Sequence, residues 1–506
     1  MYLFKQIGEW NPQILREFKG RLKTRNIVLG IVTSLGIQLL LLLYFAAELP
    51  SPNQSYGRYC LQDSKGFCTG VKWLDWWQDF HHVFDWILAL GLVVGGVYLL
   101  VSNLAEENRR GTLNFIRLSP QSAYTILLGK MLGVPIILYL GAAIAIPLHT
   151  WSAIAAGADL TWLLSFDFLL VSLCGFFYSL GMLYTFMGGS QGLLAAGASA
   201  FCLWMTLYTD FSFSFNYYID FDDLQWYWAP IGDNIFAFRG FVLLNCFLWS
   251  YWIWRGLNRR FKNPTATILS KKESYGLVAC FQLILLGCVL PQITLNQSSY
   301  RFHESIFAIG LMNLLWFLCL IAILSPHRQT LQDWARYSHN NRQSRWQDWL
   351  FGEKSPAPVA IAINLGITAA IFLPWILLWP TDSQDKLQAI AGILICCSLM
   401  FIYAVLAQIM LLIKIQKRSL WAAGSVNAAI ILPPLILGLF EVRPEYVPEL
   451  FLFTMLPFLG IEYISAMGFL AVVVSHCTIC AGLTWKLKQQ LHQAGESQTK
   501  ALLAGR

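Results

Sequence analysis

The sequence predicts an all-α integral membrane protein, a polytopic helical bundle of about twelve transmembrane spans, with a six-plus-six division as one reading. Three observations predict it. The 506 residues are 57% hydrophobic and only 12% charged, with a mean hydropathy of +0.54, whereas a soluble domain is about a quarter charged. Apolar runs of spanning length recur at 26–47, 84–104, 123–148, 162–187, 191–208, 234–254, 275–293, 305–325, 358–379, 387–413, 421–440 and 463–485. The charges alternate in sign between the connecting loops. With the N-terminus placed in the cytoplasm, 28 of the 35 Lys/Arg fall on cytoplasmic segments and 19 of the 28 Asp/Glu fall outside or in outer span halves, as the positive-inside rule requires. The even number of spans brings the C-terminus back inside. A multi-pass protein of the cell (inner or plasma) membrane is expected.

Residues 1–25 read as an interface helix. Ile14, Leu15, Phe18 and Leu22 recur at helical spacing, and Arg16, Lys19, Arg21, Lys23 and Arg25 fill the other positions, which suits anionic lipid headgroups. About 25 mostly polar residues precede a first apolar run too long for a signal h-region. Phe45-Ala46-Ala47 imitates a cleavage site, but cleavage is not expected.

The outer loop 48–83 carries interfacial Trp73, Trp76 and Trp77. Cys60 and Cys68 lie close together in it, and two readings stand: a disulfide on an oxidising side, or two free surface thiols. The other ten cysteines sit in apolar runs, where Cys packs as a small hydrophobe. The Cys477-Thr478-Ile479-Cys480 motif inside the last span is read the same way. His81, His82 and Asp85 bring ligand types onto one helical turn, but without a further partner they read as a hydrated interface turn, and no metal site is assigned.

Loop 209–233 is acidic and aromatic, with Tyr217, Tyr218, Asp220, Asp222, Asp223, Trp226 and Tyr227. It reads either as a segment lidding a pathway or as an inert aromatic belt. An internal duplication is weighed on Asn11-Pro12 before span 1 and Asn263-Pro264 before span 7. The organisation expected is an interface helix at 1–25, six-span domains at 26–260 and 261–490, and a tail at 491–506.

The functional signal lies between spans 2 and 3. The chain reads Glu106-Glu107-Asn108-Arg109-Arg110-Gly111-Thr112-Leu113-Asn114-Phe115-Ile116-Arg117-Leu118-Ser119-Pro120-Gln121-Ser122, and then Leu128-Gly129-Lys130. This predicts a short amphipathic helix stopped by Ser119-Pro120. Leu113, Ile116 and Leu118 form its apolar side, Glu106, Glu107, Arg109, Arg110 and Arg117 its charged side, and Ser119 or Ser122 caps the next helix. A soluble partner can dock there; a solvated turn with topology-setting arginines is the plain alternative.

These residues resemble the permeases of type-2 ATP-binding-cassette exporters. Glu107, Gly111, Thr112 and Leu113, followed by Pro120 and by Leu-Gly-Lys, are similar to that family's coupling turn. The opening helix with Arg16, Phe18, Lys19 and Arg21 is similar to its N-terminal interface helix. The resemblance covers about residues 8–260. It implies that the turn sits in a groove of a separate ATPase, which supplies ATP and magnesium, and that loop 209–233, with Tyr217, Asp222, Asp223 and Trp226, stands where the family carries outer gate helices. The chain departs from the pattern in its second six spans. There the turn Trp349-Leu350-Phe351-Gly352-Glu353-Lys354-Ser355-Pro356 has no Gly-Thr-Leu, which leaves a dimer or a single-chain pseudo-dimer open.

No phosphate loop is present: Gly129-Lys130 continues into Met131, and Gly188-Gly189-Ser190-Gln191-Gly192 is a tight turn. No carboxylate pair or nucleophile with its base stands out. The expectation is therefore a non-enzymatic permease subunit without cofactors of its own, with membrane lipid and a separate ATPase as partners and no nucleic acid. An ion-coupled carrier and a non-transporting scaffold are the alternatives. Gln38, Asp167, Asn245, Gln282, Asn313, Asn364, Gln408, Asn427 and His476 are the polar groups expected inside the membrane, the amides mostly in interhelical hydrogen bonds.

Overall fold

A computed structural model describes residues 6, 8–50, 57–62, 68–214, 224–295, 299–340 and 346–503. Among them, twelve helices are long and apolar enough to cross a membrane, and strands are confined to two small hairpins. The chain is an all-α polytopic helical bundle. It divides into two compact units, residues 1–222 with 231–262, and residues 223–230 with 263–506.

In the first unit, α1 (Pro12–Arg21) precedes the spanning helix α2 (Thr24–Ala47). A hairpin of β1 (Cys60–Gln62) and β2 (Cys68–Val71) comes next, with Cys60 opposite Val71. It is closed by a Cys60–Cys68 disulfide whose Cα atoms lie 5.4 Å apart. After it come α3 (Trp73–Ala89), one π turn at Leu90–Val94, and α4 (Gly95–Arg109). A π turn leaves a backbone carbonyl short of its helical partner, and the Tyr178 hydroxyl donates to Leu92 O at 2.6 Å. Gly96 makes room for that ring, since a Cβ there would collide with it.

The short helix α5 (Thr112–Arg117) leads to α6 (Ala123–Gly133) and α7 (Ile136–Ala155). The sequence reads 123–148 as one span, but the structure breaks it at Val134-Pro135. Proline has no N–H to give the preceding turn, and the Tyr139 hydroxyl donates to Met131 O instead, at 3.2 Å. Thus α7 is the span, and α6 packs on α1. The unit closes with α8 (Leu160–Phe186), α9 (Gly192–Ser214) and α10 (Ile235–Lys262). Its core is Phe166, Leu169, Leu173 and Phe177 of α8 against Val97, Leu100 and Val101 of α4 and Leu203 and Leu207 of α9.

The second unit begins with a two-residue hairpin, β3 (Gln225–Trp226) and β4 (Ala229–Pro230). Tyr227 and Trp228 at its tip both take left-handed backbone angles, as a tight primed turn requires. Its helices longer than one turn are α11 (Lys271–Val289), α12 (Ser299–Leu324), α13 (Arg328–Asn340), α14 (Trp346–Phe351), α15 (Ala357–Leu378), α16 (Ser383–Leu412), α17 (Arg418–Leu439) and α18 (Ala466–Leu503). Phe302, Phe372, Trp375 and Trp379 anchor one of its cores. Membrane amides bridge helices here as expected: the Gln282 amide donates to Asn313 at 2.6 Å and to Thr368 at 2.9 Å, and Asn364 donates to Ser274 at 3.1 Å. Asn427 instead is exposed.

The two Asn-Pro pairs do not fold alike. Asn11 caps α1, its side chain accepting from Gln13 N and Ile14 N. Asn263 comes after α10 and accepts from Thr265 N within a turn.

Candidate functional site

The residues singled out between spans 2 and 3 come together at one end of the first unit, with α1, the start of α6 and the ends of α8 and α10. Gly111 has φ +73°, the left-handed conformation that lets the chain turn sharply after α4 and start α5. Thr112 Oγ1 donates to Glu107 O at 3.2 Å. Leu113 and Ile116 are buried. Ser119 and Pro120 stop the helix, and Ser122 caps α6 by accepting from Thr125 N at 3.1 Å.

Two expectations need correction. Leu118 is not on the buried side of α5; it is 83% exposed, beside Phe115 at 77%. Nor do all five charged residues face solvent together. Glu106 does, paired with Arg109 at 2.5 Å and Arg110 at 2.6 Å. Arg117 lies over the Phe186 and Phe261 rings, 5.9 and 5.6 Å from their centroids, and burial lowers its pKa. It thereby pins α5 to the ends of α8 and α10.

Glu107 turns inward to Lys130. The Lys130 side chain is 1% exposed, and its Nζ donates to Glu17 at 2.6 Å, to Asn103 at 3.2 Å and, by a short contact, to Glu107. Gln13 Nε2 also donates to Glu17, at 3.0 Å, and Arg21 pairs with it at 3.3 Å. Burial pushes the Glu17 carboxyl up, but Lys130 and Arg21 outweigh it, and its pKa is lowered from 4.5. A buried lysine flanked by two carboxylates thus ties α1, α4 and α6 into one block.

One side of the interface helix packs on α6. Asn11, Gln13, Ile14 and Glu17 are its buried residues, while Arg16 and Lys19 are exposed and Phe18 and Arg21 are half-buried. Gly129 and Gly133 permit this close approach: a Cβ on Gly129 would stand 2.7 Å from Gln13 Cβ, and one on Gly133 2.6 Å from Glu17 Cβ. Asn11 completes the dock by donating to Thr125 O at 2.8 Å. Glu17, Asn103 and Lys130 were not singled out as a cluster. The sequence signal was an isolated Lys at the head of an apolar run, which needs a counter-charge if buried.

Of the outer-gate residues, Tyr217, Asp222 and Asp223 lie outside the described residues. Trp226 belongs to the second unit rather than to the first six spans. Its indole donates to Ile284 O at 3.2 Å on α11, where Tyr227 N also donates to Gly287 O.

At the opposite end of the first unit the expected hydrated turn is buried instead. His81 and Asp85 of α3 meet His149 of α7, and all three are almost inaccessible. His149 Nε2 lies 2.7 Å from Asp85 Oδ1, and His81 Nε2 lies 3.5 Å from Asp85 Oδ2. His82 diverges and meets the Phe211 ring. Beside this group, Arg239 of α10 and Asp210 of α9 form a buried two-pronged pair at 2.8 and 2.9 Å, with Arg239 over the Trp162 ring.

No family model, no curated protein and no solved structure matches the chain.

Proposed function

We propose that the chain is the membrane-spanning permease subunit of an ATP-driven transporter, an exporter by its resemblance, energised by a separate ATPase that docks on α5. In this reading the end bearing α1 and α5 is cytoplasmic, which agrees with the charge bias of the loops. One observation carries the proposal. The helix α5 presents Phe115 and Leu118 outward, while its inner side is fixed by Leu113, Ile116 and Arg117. An apolar pair standing out of a charged rim is the kind of anchor a protein groove accepts. Through Thr112, Glu107 and Lys130 a displacement of α5 would reach α1 and α6 as well as α4.

The test is purification of the tagged full-length chain from its native membrane, followed by assay for co-purifying ATPase activity. The unmodified chain should bring the ATPase down, and the Phe115→Asp, Leu118→Asp double variant should lose it while still extracting as a monodisperse protein. Absence of ATPase from the unmodified preparation, or its retention by the double variant, defeats the reading.

An ion-coupled carrier is the second reading, favoured by the buried ionisable group around Asp85, since such groups mark ion paths in membranes. Transport that survives ATP depletion and stops when ion gradients are collapsed would select it.

A further inference from the structure

We infer that His81, Asp85 and His149 form a binding site for one divalent transition-metal ion of zinc-like preference. The inference is independent of what energises transport. His81 and Asp85 are four residues apart on α3 and so share a face, and His149 is brought to them by α7. One ligand atom from each lies within 4.8 Å of the others. Metal–ligand bonds of about 2.0–2.2 Å place tetrahedral ligands roughly 3.3 Å apart, close to the observed 3.5 Å between His81 Nε2 and Asp85 Oδ2. Two imidazoles and a carboxylate are a zinc-type set that leaves a fourth position for solvent or a substrate group.

The hydrogen bonding supplies a second, separate reason. The Ser152 hydroxyl donates its one proton to His149 O at 2.9 Å. It must then accept from His81 Nδ1, 2.9 Å away. That assignment places the proton of His81 on Nδ1 and leaves Nε2 a lone pair. Both His81 Nε2 and Asp85 Oδ2 are buried without a hydrogen-bond partner. Two acceptors therefore face each other in a buried site, where each unmet group costs free energy. A cation between them satisfies both.

Charge balance agrees. Without an ion His149 Nε2 donates to Asp85 Oδ1 at 2.7 Å, so metal binding releases that proton to solvent and leaves the Nδ1 proton facing Asp167 of α8, 4.0 Å away on the other ring edge. A divalent ion with the carboxylates of Asp85 and Asp167 is neutral overall, which a low-dielectric setting favours. The pairing of a ligand imidazole with an outer carboxylate is also what orients metal-bound histidine. The site lies about 12 Å along α3 from Trp73 and about 9 Å along α7 from Ala155, at 1.5 Å per residue, so it is near one end of the unit rather than at mid-depth.

The test uses full-length protein in detergent, stripped by chelator and titrated with Co²⁺ alone. One equivalent should bind and give visible ligand-field bands without the thiolate charge-transfer absorption that the ten free cysteines would produce. His81→Gln and His149→Gln should each weaken binding by more than about 100-fold, and Asp167→Asn by about 10–100-fold. His476→Gln is the control, because that buried histidine bonds Ser398 at 2.6 Å in the second unit; binding should be unchanged. The proposal is overturned by failure of the unmodified protein to bind one equivalent, by thiolate bands, or by full affinity in both histidine variants. If those two variants misfold, the spectrum of the unmodified protein and the half-exposed Asp167→Asn variant decide.

Discussion

Among the described residues each unit buries one lysine near the start of an apolar run, and the two are solvated in opposite ways. Lys130 in the first unit is held by two carboxylates, Glu17 and Glu107, from two other segments. Lys271 in the second is held by neutral acceptors: Ser355 Oγ at 2.6 Å, Trp349 O at 2.8 Å and Pro356 O at 3.0 Å. The partners of Lys271 belong to the turn that lacks Gly-Thr-Leu, and those of Lys130 to the turn that has it and to α1. A charged network is intolerant of losing a member, whereas a polar cap around a single charge loses one desolvated ion when the ion is removed. The first unit therefore has a stiff junction at its basic end, and the second has a local clasp.

The largest expected effect comes from breaking that junction. Lys130→Met leaves Glu17 and Glu107 facing an apolar side chain and each other, and should destabilise the α1–α4–α6 junction by about 3–5 kcal/mol. Lys271→Met removes an unneutralised buried charge and leaves three acceptors short of one donor, a cost of about 1–3 kcal/mol. Hydrogen exchange of segments 12–21 and 105–118 in the first variant, against 346–356 in the second, checks the ranking. Equal loss of protection in the two would mean that the carboxylates confer no special rigidity.

Next in size is a steric perturbation of the same junction. Gly133→Val introduces a Cβ that meets Glu17 Cβ at 2.6 Å. The expected cost is about 1–3 kcal/mol, the usual range for overpacking. Hydrogen exchange across 12–21 reports it: the protection of α1 should fall. Gly424→Val in α17, where a Cβ meets nothing within 4 Å, should not change that signal.

Acid should undo the dock without any mutation. The folded pKa of Glu17 is lowered, so its stabilising effect is complete above the ordinary value of 4.5 and is lost as pH falls below that value through the folded pKa. Protection of residues 12–21 should therefore hold from neutrality to about pH 5 and fall only below it. The hold of Lys271 on its clasp, made through three neutral acceptors, should persist through that window. Loss of α1 protection already at pH 6 would assign the dock to some other group.

Much of this organisation was legible from residue pattern. Hydropathy gave the number of spanning-length helices because a lipid solvent demands long apolar runs, but it set the third at 123–148 where the long helix is Ile136–Ala155. Local chemistry located α5, since Gly111, Ser119-Pro120 and Ser122 act on their near neighbours. What escaped were pairings between distant residues and polar groups at helix ends. Glu17 and Lys130 are 113 positions apart, and nothing local says that they meet. The helical spacing of Ile14, Leu15, Phe18 and Leu22 says nothing of Gln13 and Glu17, which can be buried because Glu17 accepts from both Lys130 and Gln13. His149 and Asp210 lie just beyond apolar windows that ended at 148 and 208, but α7 and α9 continue to Ala155 and Ser214. A hydropathy window stops where polarity begins, while a helix stops where its backbone hydrogen bonds do.

The smallest predicted effect concerns the turn that links the junction to the outward residues Phe115 and Leu118. Gly111 holds φ +73° with open space where a Cβ would stand, so an alanine there meets only the backbone penalty of the left-handed region, about 1–2 kcal/mol. Gly111→Ala should leave α1 protected, because Lys130, Glu17 and Glu107 are untouched, and should raise exchange only across 110–118. If α5 is the docking element, ATPase association should weaken in proportion to that local loosening, far less than in the Phe115→Asp, Leu118→Asp variant. A Gly111→Ala variant that loses α1 protection as well would show that the turn and the lysine junction are one cooperative element, and would erase the distinction between a rigid junction and the docking helix mounted on it.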